Sequence, residues 1–181
     1  MKRRLGYLMV AAILAAALLA GCSGGKPPAP SSPEEVKGET FDAGQISVLV
    51  PEGWKAFPAT DLFDEYEGDN DPTALSIYKG AESEWDQLTK PGITINSYKT
   101  EEFLSGKDWY DDVKDIEVGS IGSYTCTGYT GTSLDYPYTV VEMVDGDTTI
   151  QAAILMENEG AKIALEDVDV QAILASIKTA K

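Results

Sequence analysis

The chain is 181 residues long and carries 14 basic and 30 acidic side chains, for a formal net charge of −16, with two cysteines and no histidine. Without histidine there is no Ser-His-Asp or Cys-His catalysis, most zinc sites are excluded, and the usual pH-switch residue is missing. The acidic balance excludes nucleic acid as a partner and adhesion to anionic lipid by charge alone.

Lys2, Arg3 and Arg4 precede an almost unbroken apolar run from Leu8 to Ala20. A basic start, a short apolar middle and small residues at the end are the three parts of an export signal. The run is too short to cross a hydrocarbon core of ~30 Å, which takes about 20 apolar residues. Leu19-Ala20-Gly21-Cys22 then resembles the bacterial lipoprotein box. That resemblance implies that residues 1–21 are a signal peptide cleaved after Gly21. It also implies that Cys22 becomes an acylated N-terminus bearing a diacylglyceryl thioether. The expected location is the outer face of the bacterial cell membrane, anchored by lipid. Of the 14 basic residues, loss of Lys2, Arg3 and Arg4 leaves 11, all lysine, against 30 acids. A mature chain without arginine lacks the planar fork that grips phosphate or carboxylate with two hydrogen bonds. Acyl chains must therefore hold it, and more than one is needed for stable anchoring.

Residues 22–38 read as a tether: Ser-Gly-Gly-Lys-Pro-Pro-Ala-Pro-Ser-Ser-Pro-Glu-Glu has too little apolar surface to order itself. Its prolines favour an extended course of about 3 Å per residue, enough to lift a domain several nanometres from the lipid. Residues 39–181 read as a single globular domain of ordinary size. Once Cys22 is acylated, Cys126 has no partner within the chain, and in Ser-Tyr-Thr-Cys-Thr-Gly-Tyr it reads as a small buried thiol on a strand.

Ile46, Val48 and Val50 alternate as in a strand buried on one face, and Pro51-Glu52-Gly53 ends it. Trp54 and Phe57 follow as aromatics that seal one end of a core. Thr73 to Lys79 and Gly92 to Thr100 predict two more strands, with a short helical turn from Glu82 to Leu88 carrying Trp85 between them. Thr100 ahead of Glu101, Glu102, Phe103 and Leu104 has the form of a capped helix start, continued past Gly106 by Trp109, Tyr110 and Val113. Ile116 to Val118, Ser123 to Thr132, Tyr138 to Val144 and Thr148 to Met156 predict four successive strands, the last two joined by the hairpin signal Asp145-Gly146-Asp147. Val170, Ile173, Leu174 and Ile177 form one helical stripe, with Asp167 at its start and Lys178 and Lys181 at its end. Strands in meander order, with helices between and after them, predict an α+β fold: a curved antiparallel sheet with helices packed on it and a C-terminal helix.

The stretch Phe41, Ile46-Ser47, Leu49-Val50-Pro51-Glu52-Gly53-Trp54 resembles the opening strands and Pro-x-Gly-Trp turn of the PsbP-like superfamily. The Tyr138–Met156 hairpin and the closing Ile173-Leu174-Ala175-Ser176-Ile177-Lys178 resemble its last hairpin and final helix. The resemblance implies a sheet sandwiched by helices over residues 40–180. It also implies a binding or accessory role, since members include extrinsic photosystem proteins, a Ran-binding import factor and bacterial lipoproteins, and it carries over no catalytic residue.

Six carboxylates crowd Asp61 to Asp71, and Asp64, Glu67, Asp69 and Asp71 are candidate ligands for a hard cation such as calcium, although no EF-hand spacing is present. A second acidic group, Asp108, Asp111, Asp112, Asp115 and Glu117, is diluted by Lys107 and Lys114. Tyr124, Tyr129, Tyr136 and Tyr138 crowd two neighbouring strands; aromatics with a polar tip suit a partner-binding face as well as ordinary sheet packing. No catalytic constellation and no cofactor motif is present, so the chain is expected not to be an enzyme. The expected function is a lipid-anchored accessory module presenting an acidic domain to a protein partner. A lipoprotein binding a small ligand or calcium is the alternative, and a carboxylate-based enzyme ranks behind both.

Overall fold

A computed structural model describes residues 36–60 and 70–180. The signal peptide, Cys22, most of the tether, Asp64, Glu67, Asp69 and Lys181 lie outside the described residues.

Strands β1 (Gly38–Asp42) and β2 (Ile46–Pro51) form a hairpin, and β3 (Trp54–Thr60) follows at once. Next come β4 (Asn70–Lys79), a 3-10 turn at Glu84–Leu88, β5 (Gly92–Lys99), and a second 3-10 turn at Gly106–Trp109. Then come β6 (Asp111–Ile116), β7 (Ser120–Ile121), β8 (Tyr124–Ser133), β9 (Tyr136–Asp145) and β10 (Thr148–Leu155). The short pair β11 (Glu157–Asn158) and β12 (Ala161–Lys162), the helix α1 (Val168–Ser176) and β13 (Lys178–Thr179) complete the chain.

An eight-stranded sheet runs β3-β4-β5-β10-β9-β8-β6, with β7 also on β8; β1-β2-β13 is a separate three-stranded sheet. Every pairing is antiparallel. In such a sheet, side chains directly opposite one another share a face. Leu75, Ile95, Ala152 and Val141 form one such row, and Ile77, Ile93 and Ile154 the next; all are fully buried. Ile46 and Val48 of β2, with Val170, Ile173 and Leu174 of α1, close over these rows as the second layer of the core.

Four hydrogen bonds fasten this second layer. The Ser176 hydroxyl accepts from the Leu49 amide at 2.8 Å and donates to the Ile173 carbonyl. The Trp54 indole donates to Asp169 at 3.1 Å, and the Tyr124 hydroxyl donates to the Ile177 carbonyl at 2.6 Å.

This is not the expected α+β sandwich. Strands take 57% of the described residues and helical turns 13%, which makes the fold mostly β. The layer opposite the large sheet is built from a small sheet and one nine-residue helix rather than from several helices. Two segments account for the difference. Thr100 to Leu104 forms no helix, because Phe103 instead packs on Tyr98, with ring centres 5.5 Å apart, and Thr100 bonds Thr149 and the β9–β10 turn. Beyond Gly106, the Asp111–Ile116 segment joins the sheet as an edge strand. At the other end, Lys178 lies past the helix, in β13 paired with Ser47. Asp167 does stand at the helix start, but its carboxylate accepts from the Ala164 amide rather than from the first helical turn.

Candidate functional site

The second face of the large sheet is where chemistry can meet solvent. Pairing places Phe57, Ser76, Thr94, Ala153, Val140 and Tyr129 in one row across six strands. Beside it run Tyr78, Gly92, Leu155, Tyr138 and Gly131; on the other side run Ala74, Asn96, Gln151, Glu142 and Thr127. The glycines in the aromatic row are there for space. A Cβ on Gly92 would run into the Tyr78 ring, and one on Gly131 would sit 2.8 Å from Tyr110 Cβ.

Two segments cross this face. The Glu84–Leu88 turn is held by Ser76, whose hydroxyl donates to Gln87 at 3.3 Å, and by Asn158, which donates to the Leu88 carbonyl. Within the turn, the Asp86 carboxylate accepts from the Glu82 and Ser83 amides, which holds its pKa below the usual carboxylate range. The second crossing runs from Thr100 to Tyr110. Gly106 lies against Gln151 and Tyr129, and Ser105 donates to Glu142 at 2.7 Å. Lys107 pairs with Asp115 at 2.6 Å while lying over the Tyr129 ring. Tyr110 then stands edge-on to both Tyr129 and Tyr138, with ring centres 5.7 and 5.5 Å away.

Both crossings project large apolar side chains into water. Trp85 is 80% exposed and Leu88 70% on the first; Leu104 is 87% and Trp109 82% on the second. Between them the sheet is open, with Thr94 exposed and Asn96 and Gln151 half-buried. Soluble domains rarely gather such side chains on one face without a use for them.

The four tyrosines singled out from the sequence separate. Tyr124 is buried on the core face; Tyr129 and Tyr138 lie on the open face under Tyr110; Tyr136 sits at the end of the β8–β9 hairpin, partly exposed. Of the candidate cation ligands only Asp71 is described, and its carboxylate is taken by the amide and hydroxyl of Thr73 at 2.8 and 2.7 Å. Among the described residues no three acidic or cysteine side chains converge as a metal site. Cys126 is buried and its thiol pKa is raised by that burial, so it is held as an unreactive thiol.

No protein-family model and no curated protein matches this chain. A solved structure from Bacteroides thetaiotaomicron aligns with 80% of it at 12% identity and a TM-score of 0.44. The chain spans about half, 49%, of that protein's length. A likeness of this size assigns neither family nor function.

Tyr129 is the buried centre of the open face. Its hydroxyl is the buried side-chain polar atom without a hydrogen bond among the described residues. Burial, reinforced by Tyr110 and the Glu142 carboxylate, pushes its pKa from 10.0 up to about 12, and the nearby Ser105 hydroxyl, which donates to Glu142 rather than bonding Tyr129, offsets it only slightly. A folded-state value above the unfolded one contributes stability that is complete below pH 10 and lost as the pH rises through about 12. Ultraviolet titration is expected to show several tyrosines ionising late, with Tyr129 the latest, and Tyr129→Phe to remove that latest step. Because the hydroxyl has no partner to lose, Tyr129→Phe should cost less than about 1 kcal/mol. A loss above about 2 kcal/mol would mean that the hydroxyl is hydrogen-bonded after all.

A second concavity, a trough of about 750 Å³, opens at the end of the core. Thr130, Pro137, Thr139, Met156 and Ile163 line it, with Lys114 and Lys162 among the charges at its rim.

Proposed function

We propose that the chain is a lipid-anchored binding module. Acylated at Cys22 and raised on its Pro/Gly/Ser tether, it offers the open face of its large sheet to a protein partner at the outer face of the bacterial cell membrane. The observation that carries this reading is the gathering of Trp85, Leu88, Leu104 and Trp109, all strongly exposed, on the two crossings of one face. Exposed tryptophans of this kind are the side chains that dominate binding energy at protein interfaces. The absence of histidine from the sequence agrees with action by binding rather than by catalysis.

In-cell crosslinking of the lipidated protein, followed by mass spectrometry, tests the reading. One abundant neighbour is expected, lost with Cys22→Ser and reduced several-fold with Trp85→Ala/Trp109→Ala. A neighbour captured equally by the tryptophan variant would remove the open face from the interface. The trough supports a second reading, a small-ligand lipoprotein, under which no specific neighbour is recovered.

A further inference from the structure

The open face also specifies the chemistry of its partner, an inference that rests on the reading above. Each exposed tryptophan follows a carboxylate on the same short turn: Glu84-Trp85 on one crossing and Asp108-Trp109 on the other. Neither carboxylate forms an ion pair among the described residues. Two lysines of this face are already committed, and Lys90 stands near the Asp86 carboxylate. Lys55 donates to the Glu82 carbonyl and lies 5.6 Å from the Phe57 ring, and Lys107 is paired with Asp115. Glu84 and Asp108 are therefore left as unpaired negative charges directly beside exposed indole rings.

The chain shows what such rings attract. Lysines lie over Phe57, Trp54 and Tyr129, 5.6, 5.8 and 5.4 Å from the ring centres, within the ~6 Å reach of a cation–π contact. Trp85 and Trp109 have no cation of their own among the described residues. A second mature copy cannot supply a guanidinium, since Arg3 and Arg4 of the signal are the only arginines.

We propose that the partner is an arginine-bearing protein segment. One guanidinium stacks on Trp85 beside Glu84 and another on Trp109 beside Asp108, the planar group answering ring and carboxylate together. The footings of the two turns, Ser76 on β4 and Gln151 on β10, are two strands apart, about 10 Å. That span matches two arginines three residues apart on a polyproline-II segment, whose three-residue turn sets both on one side about 9 Å apart.

The test is fluorescence anisotropy of a labelled Gly/Ser peptide carrying two arginines three residues apart, titrated with the full lipidated chain in neutral detergent micelles at physiological salt. Lysine and glutamate twins of the peptide are run beside it. Trp85→Ala/Trp109→Ala is expected to weaken arginine-peptide binding about tenfold. Glu84→Gln/Asp108→Asn should weaken it about threefold, the lysine twin should bind less tightly, and the glutamate twin not at all. Glu39→Gln/Glu52→Gln, an equal charge change on β1 and in the turn after β2, should leave it unchanged. Equal weakening by that control would reduce the effect to bulk charge and overturn the proposal. So would tryptophan-dependent binding of a neutral oligosaccharide or zwitterionic vesicles in place of the peptide. If crosslinking in cells still needs both tryptophans while the arginine peptide does not bind, the guanidinium assignment falls and the binding face stands.

Discussion

Truncating Ile173 to alanine is expected to destabilise the domain by about 2–5 kcal/mol, the range for removing a large aliphatic side chain from a packed interior. Ile173 is fully buried at the centre of the stripe with which α1 closes the core, between β2 and the large sheet. Its neighbours are poorly placed to collapse into the gap, because the helix is held by Ser176 to β2, by Asp169 to Trp54 and by its C-terminal carbonyl to Tyr124. The cavity term should therefore add to the transfer term rather than relax away. Val168, on the same helix but half exposed, supplies the contrast: Val168→Ala should stay within about 0.5 kcal/mol. Urea denaturation of both variants checks the pair. A cost below about 1 kcal/mol for Ile173→Ala would mean that α1 does not close the core.

What the sequence made legible follows from how local each signal is. The β9–β10 hairpin is readable because Gly146 takes the positive φ of its turn, +59°, and because alternation continues on both sides of it. The α1 stripe is equally local. Strand β3 is hidden by Pro58, which argues against a strand. The structure resolves the conflict by placing β3 at the sheet edge with a register shift after Pro58, where a missing amide costs nothing. The Thr100 helix signal fails for the opposite reason: tertiary contacts of Phe103 and Tyr110 with the open face outweigh a cap that needs only local order. The same override turned the expected sandwich into a mostly β fold.

The candidate face was half legible. Tyr124 and Tyr129 are an odd number of residues apart on one strand, so alternation alone assigns them to opposite faces, and only some of the four tyrosines can share one surface. The exposure of Trp85 and Trp109 has a weaker sequence signal. Each sits in a short acidic turn, and its apolar neighbour at helical spacing, Leu88 or Val113, is no guide because neither turn extends into an α-helix. Only the register of eight strands brings those two turns to one face.

Gly92→Ala and Gly131→Ala are the second pair of substitutions with large expected effects, and they separate folding from binding. At Gly92 the added methyl would run into the Tyr78 ring and come within 2.6 Å of the Ile77 carbonyl, which is backbone and cannot swing away. A cost of about 1–3 kcal/mol is expected, as for overpacking elsewhere. At Gly131 the methyl would meet Tyr110 Cβ at 2.8 Å and the Asp111 carbonyl at 3.1 Å. Tyr110 ends the crossing that carries Leu104 and Trp109, so the strain there falls on the element proposed to touch the partner. Gly131→Ala should therefore reduce partner capture by more than its loss of stability accounts for, whereas Gly92→Ala should not. Thermal melts and crosslinking yield on the same preparations decide between them. Equal effects on both readouts for both variants would mean that the crossing merely shares the stability of the sheet. A selective loss of capture at Gly131 would tie the glycine gap beneath Tyr110 to the orientation of Trp109, and hence to the function of the face.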